Sequence, residues 1–266
     1  MKLIKSMVYL IIFFAGYAAI LELPIGNITI AIPCVLETTE IAWFEISLGT
    51  MLDIIITSPF AMIMFYLIYK SLIIQPTPNE AKPSEIKKNS IKVLLYGACI
   101  TFIVGVIMHA VANGLNGIAG NHVPPPDELQ TAIYYFDEVL GHKLIHAGII
   151  AFLIGGMALQ FWHRNDLQLS KVDLFGVYFW PSAIGVGYML TLVEGQAAFD
   201  ILVTSIILIA VILFYIKFKG LKLNENVFTH FVLVFLIAIV VSTIVFGLIT
   251  GFKPGYPFFY QLNELS

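Results

Sequence analysis

Seven stretches of the chain are apolar with little interruption, and each is near the ~20 residues needed to cross the hydrocarbon of a bilayer. They cover residues 6–21, 46–69, 93–112, 131–162, 174–193, 201–216 and 227–250. The pattern predicts an all-α, polytopic membrane protein: a seven-transmembrane-helix bundle forming a single integral membrane domain over residues 1–266. The first stretch is the shortest and follows Lys2 and Lys5. No small-x-small cleavage site follows it, so it reads as a retained signal anchor.

The polar connections fix an expected orientation, because Lys and Arg are retained on the cytoplasmic side. With the N-terminus inside, Lys2, Lys5, Lys70, Lys82, Lys87, Lys88, Lys92, Arg164, Lys171, Lys217, Lys219 and Lys222 are all inside, twelve of the fourteen basic residues. Lys143 and Lys253 are the exceptions. Glu22, Glu37, Glu40, Glu45, Asp127 and Glu128 then lie outside. The expectation is N-in and C-out, multi-pass in the cell membrane. Residues 75–89, rich in Pro, Lys and Glu, read as a solvated linker. Residues 113–130 combine Gly114, Gly117 and Gly120 with His122 and prolines at 124–126, and read as an outer connector or a cap. Residues 25–35 are apolar, follow Pro24 and include Pro33, and read as an interfacial or re-entrant piece.

Composition sharpens the class. Hydrophobic residues make up 59% of the chain and charged residues 12%, with a mean hydropathy of +0.91; a soluble domain is about one quarter charged. No basic stripe with interleaved aromatics suggests nucleic acid, and no phosphate-binding loop, dinucleotide fingerprint or zinc-finger spacing is present. Cys34 and Cys99 fall on opposite sides of the expected topology, which argues against a disulfide.

Candidate chemistry concentrates in one place. Asp137, Glu138, His142, Lys143 and His146 put five ionisable groups in ten residues. Glu138, His142 and His146 are spaced i, i+4 and i+8, one stripe of a helix. Depth can be compared between spans by counting from each inner end. Asp53, His109 and Asp200 each lie about 26 Å from theirs, Glu194 about 29 Å, and His146 and His142 about 24 and 30 Å. A core roughly 30 Å thick puts all six just under the outer headgroups. Ionisable groups in spans tend to face the bundle interior and pair. Asp200 reads as a boundary residue, and Asp137 and Lys143 fall toward the rim, where solvent accounts for them.

Imidazole and carboxylate without cysteine suit a divalent transition metal, zinc foremost, with iron or copper fitting the same set. His142 and His146 can clamp an ion from one helix, and His109 can add a third nitrogen. Glu138, Glu194 and Asp53 are the candidate catalytic carboxylates, and Asn113 can donate to a substrate oxygen. Gly105, Ala110, Ala112 and Gly114 on the third span, with Gly141, Gly148, Gly155 and Gly156 on the fourth, allow these two helices to approach closely.

The expected function is a metal-dependent hydrolase acting on a lipid or amphipathic substrate, with membrane lipids as the surroundings and no nucleic-acid partner. Alternatives are an ion or metal transporter or proton relay, kept open by Pro59 and Pro181, and a haem-binding or structural subunit of a membrane complex. In architecture the chain resembles the seven-helix metal-dependent hydrolases of the alkaline-ceramidase and adiponectin-receptor superfamily, which hold zinc by three histidines near one membrane face and act on lipid amides. The resemblance implies that such a site can be built in such a bundle. It assigns no residue here, because that superfamily carries its His-x3-His on the last helix, whereas His142 and His146 are on the fourth. Position 105, where an early-helix Ser would stand four before His109, is Gly. A retinal protein is disfavoured because the seventh span has no lysine.

Overall fold

The computed structural model describes residues 5–21, 29–35, 41–74, 85–122, 127–161 and 169–261. Helix α1 is Lys5–Leu21. A two-stranded antiparallel hairpin follows, β1 (Thr29–Val35) and β2 (Ile41–Ser47), in register from Thr29 opposite Ser47 to Val35 opposite Ile41. Helix α2 (Leu48–Ile73) starts where the Ser47 hydroxyl accepts the Thr50 N–H at 3.1 Å, a capping contact that ends β2. Then come α3 (Glu85–His122), α4, α5 (Lys171–Glu194), α6 (Ala198–Lys219) and α7 (Val227–Thr250). Helix α4 is built of Asp127–Tyr134, a π-helical turn at Tyr135–Gly141, and His142–Gln160. A second π turn, Asp53–Thr57, lies inside α2.

The six helices α2 to α7 are long and apolar enough to cross a membrane, by length and composition, and α1 is a shorter apolar helix. The chain is therefore a helical membrane protein. The structure adds detail at three places. Residues 29–35, within the stretch expected to be interfacial or re-entrant, are a paired strand. The outer connector is mostly helix: no proline interrupts α3 before position 124, and glycines only weaken the helical ladder, so α3 runs to His122. At its other end α3 begins at Glu85 rather than near 93, because Glu85 and Lys88 pair across one turn at 2.7 Å and a polar helix can continue into water.

The bundle is held at its centre by close backbone approach. A Cβ added at Gly148 would stand 2.6 Å from the Phe102 backbone nitrogen and 2.8 Å from the Ala98 carbonyl. One at Gly105 would stand 2.6 Å from the Ile145 nitrogen. Helices α3 and α4 thus touch backbone to backbone, which only residues without a side chain permit. Beside this seam Phe65 and Phe152 stack at 4.0 Å, and Phe13 and Phe102 pack against Phe65 at 5.1 and 5.6 Å. At the far end of α4 the Gln160 side-chain carbonyl accepts the Thr229 N–H at 2.8 Å, capping the first turn of α7 from a neighbouring helix.

Gly148→Ala is expected to destabilise the protein by about 1–3 kcal/mol, because backbone cannot move aside as a side chain can. Gly97→Ala, with open space around the added carbon, should be neutral or stabilising by up to about 1 kcal/mol. Unfolding of both variants in mixed detergent micelles checks this; equal effects would contradict it.

Candidate functional site

The site lies where α3 crosses the π turn of α4. A Cβ on Gly141 would meet the His109 Cβ and backbone nitrogen, both at 3.2 Å, so the glycine lets His109 lie directly on the turn. In an α-helix the fifth residue along stands on a different face; the i→i+5 bonding of a π turn brings it round to nearly the same one. Asp137 and His142 are five apart, and the π turn lets both face α3. Asp137 is accordingly buried, only 5% exposed, where the sequence placed it at the solvated rim. Regular α-helical geometry was the wrong ruler for this turn.

His109 is held on both sides. Its Nδ1 is 2.5 Å from Asp137 Oδ1, a contact too bent to be a linear hydrogen bond. Its Nε2 is 3.1 Å from the Asn113 amide nitrogen, one turn along α3. The His109 and His142 rings meet edge to face with centroids 4.6 Å apart. His109, Asp137 and His142 each offer a ligand atom within 4.8 Å of the others, a group able to hold a metal ion. Glu138 Oε2 is 3.8 Å from His142 Nε2. The two imidazoles are partly open, with side chains 20% and 19% exposed.

The other predicted residues take different places. His146 is one turn further into the bundle, with its ring centroid 6.2 Å from that of His142. It is fully buried, and its Nδ1 lies 2.5 Å from the Tyr188 hydroxyl on α5. Tyr188 is itself packed between Phe14 and Phe235. Asp53, at the start of the π turn in α2, accepts from the Thr57 hydroxyl at 3.3 Å and is within electrostatic reach of His109. Glu194 ends α5 and is within electrostatic reach of Glu138. Gly195, next in the chain, abuts the His142 ring; a side chain there would collide with it. Asn113, expected to serve a substrate oxygen, instead serves His109.

The rim carries a separate network. Lys143 Nζ is 2.9 Å from Asp200 Oδ2 and also reaches the Tyr256 hydroxyl, which donates to the same carboxylate oxygen at 2.9 Å. Gln261 Nε2 donates to the Glu194 carbonyl at 2.6 Å. These bonds tie the segment after α7 to the helix ends around the site. Tyr188 and Asp137 are the residues that sequence reasoning missed as members of the polar cluster. Tyr188 carried no signal, since a tyrosine in an apolar span normally reads as packing; Asp137 was visible but assigned to solvent.

No family model, curated protein or solved structure matches the chain. Its chemistry therefore rests on the geometry alone.

Tyr188→Phe is expected to cost about 1–3 kcal/mol of stability, by leaving a fully buried imidazole nitrogen unpaired. Reversible unfolding in mixed micelles measures it, and a change under about 0.5 kcal/mol would show that the contact is not a stabilising hydrogen bond.

Proposed function

We propose that this protein is a metal-dependent membrane hydrolase whose site opens at the outer face and takes a lipid or other amphipathic substrate. The observation that carries the reading is the convergence of His109, Asp137 and His142 from two helices. Intramembrane ionisable groups are expensive and gather where they have work to do. Two imidazoles and a carboxylate suit zinc: His109, Asp137 and His142 would hold it, and the ion would supply Lewis acidity that makes water easier to deprotonate. Glu138 stands beside His142, and its Oε2 has no hydrogen-bond partner among the described residues. In this reading it takes the proton from the attacking water, and Glu194, within electrostatic reach, shapes the field around it. Asp53 supplies negative charge behind His109. His146 braces the floor of the site through Tyr188.

The topology we propose is seven spans with α1 as the first, the N-terminus cytoplasmic and the C-terminus outside, in the cell membrane. The distribution of Lys and Arg supports it. The exposed rings of Tyr134, Tyr135 and Phe136 flank the site, and aromatic side chains of this kind favour the headgroup level. A substrate with an acyl chain in the bilayer and a polar linkage at its surface fits that height. Deeper in the bundle lies the cluster of Phe13, Phe65, Phe102 and Phe152. A dry aromatic layer there supports a closed reaction site in preference to a conducting path.

Purified protein reloaded with zinc is expected to hold roughly one ion per chain, and His142→Ala to lose it. Elemental analysis decides the point, and a metal-free wild type would end the proposal. Glu138→Gln should keep the ion while lowering hydrolysis of amide- and ester-linked lipids in mixed micelles about 10²–10⁴-fold. Undiminished turnover in that variant would remove Glu138 from the proton's path.

A further inference from the structure

We propose that Gly195 and Gln261 are positioning residues for His142: the turn between α5 and α6 backs the imidazole, and the segment after α7 holds that turn in place. This rests on the metal reading above, in which His142 is one of the three ligands, and it adds residues that never touch the ion. Gly195 caps α5 with φ −82° and ψ 17°. Residues with side chains also adopt that conformation, so the backbone does not ask for glycine. Space does. A carbon added there would stand 2.5 Å from the Cγ and 2.7 Å from the Cβ of His142, and closer still to Nδ1. Turning the ring about its Cα–Cβ bond moves Cγ and Nδ1 but leaves Cβ where it is. An alanine is therefore accommodated only if the turn and α4 move apart. In the native protein the bare glycine lies against the Nδ1 side of the imidazole, while Nε2, at the far end of the ring, lies 3.8 Å from Glu138. The turn takes away the space into which the ring could rotate on that side.

The turn itself is held from outside. Gln196 has φ 50°, a left-handed conformation that a residue with a side chain keeps only when its surroundings impose it. Its side-chain amide donates to the Tyr134 hydroxyl in the first part of α4. From the segment after α7, Gln261 Nε2 donates to the Glu194 carbonyl at 2.6 Å, and the Tyr256 hydroxyl lies 3.4 Å from the Gln196 carbonyl. The segment is seated by its aromatic side chains: Phe258 packs on Phe199 of α6 with centroids 4.7 Å apart, and Phe259 is buried. A buried anchor with bonds to the carbonyls on either side of Gly195 makes the segment a brace for the glycine, and through it for the ring.

Gly195→Ala is expected to weaken zinc binding roughly 10–100-fold, the range for residues that orient a ligand. Gln261→Ala removes the hydrogen bond to Glu194 and should weaken it roughly two- to tenfold. Because both act through one ring, the double variant should bind about as weakly as Gly195→Ala. Gly185→Ala is the control. Its added carbon would meet Ala238 and the Phe235 carbonyl at 2.8 Å, so it strains the same helix away from the site and should keep wild-type affinity. Competition titration of the full chain in mixed micelles with a zinc chelator reads all four. Spectra of histidine-labelled, metal-free protein give a readout that needs no ion. The His142 signal, assigned by difference from His142→Gln, should shift in Gln261→Ala, while that of His230, packed on Tyr178, stays. An unmoved His142 signal in Gln261→Ala overturns the brace, and wild-type zinc affinity in Gly195→Ala overturns the role of the glycine. Equal losses of affinity in Gly195→Ala and Gly185→Ala would mean general loosening and overturn the proposal. Gln261→Ala, the milder change, carries the test where Gly195→Ala does not fold. A wild type that binds no zinc ends the metal reading alone, and the His142 signal then still decides the positioning.

Discussion

In lipid no hydrophobic effect presses one helix onto another, so the contact between α3 and α4 depends on how closely their backbones can approach. Gly105, Gly141 and Gly148 set that distance, each positioned where an added carbon would meet the other helix at 3.2 Å or less. The rest of the site hangs on this seam. His109 rests on Gly141, and its neighbours across the seam are the residues of the π turn. Widen the seam by one methyl group and the imidazole of α3 moves away from the carboxylate and imidazole of α4. Stability and site geometry are therefore coupled through the same three small residues.

The π turn supplies the second constraint. It puts Asp137, Glu138 and His142 within one stretch of backbone facing α3, a clustering that a regular α-helix cannot achieve for residues five apart. Another π turn carries Asp53 in α2. Each places a carboxylate near His109, and each interrupts the helix at the height of the polar cluster. Such turns leave backbone groups less well bonded than an α-helix does, and they are found preferentially where function repays the loss.

Burial brings the polar groups at this level together, although Glu138 Oε2 and His146 Nε2 have no hydrogen-bond partner among the described residues. His109 lies against Asp137 and Asn113, His142 lies 3.8 Å from Glu138 without a hydrogen bond, and His146 meets Tyr188. The pairs descend from the partly exposed rim to the fully buried floor. At the rim, Lys143, Asp200 and Tyr256 form a separate network that holds the chain after α7 against the helix ends. A lysine that seemed to need only water thus has partners on α6 and on the segment after α7.

Much of this was readable in the chain itself. Apolar length and composition determined the helical membrane class, because the cost of unpaired backbone in hydrocarbon leaves few alternatives. Helical rise gave His109 and His142 similar depths, and their rings meet in the structure. Glycine positions marked the close seam. What the chain could not reveal were the departures from regular geometry. The hairpin at Thr29–Val35 depends on pairing with residues 41–47, a contact made in space. The inward turn of Asp137 depends on a local change of helical period, and its burial depends on α3 lying across it. The tie between His146 and Tyr188 joins residues forty-two apart on different helices. Periodicity and depth are properties of one helix at a time, and sequence determines them. Which side chains meet is a property of two helices together, and only the tertiary packing decided that.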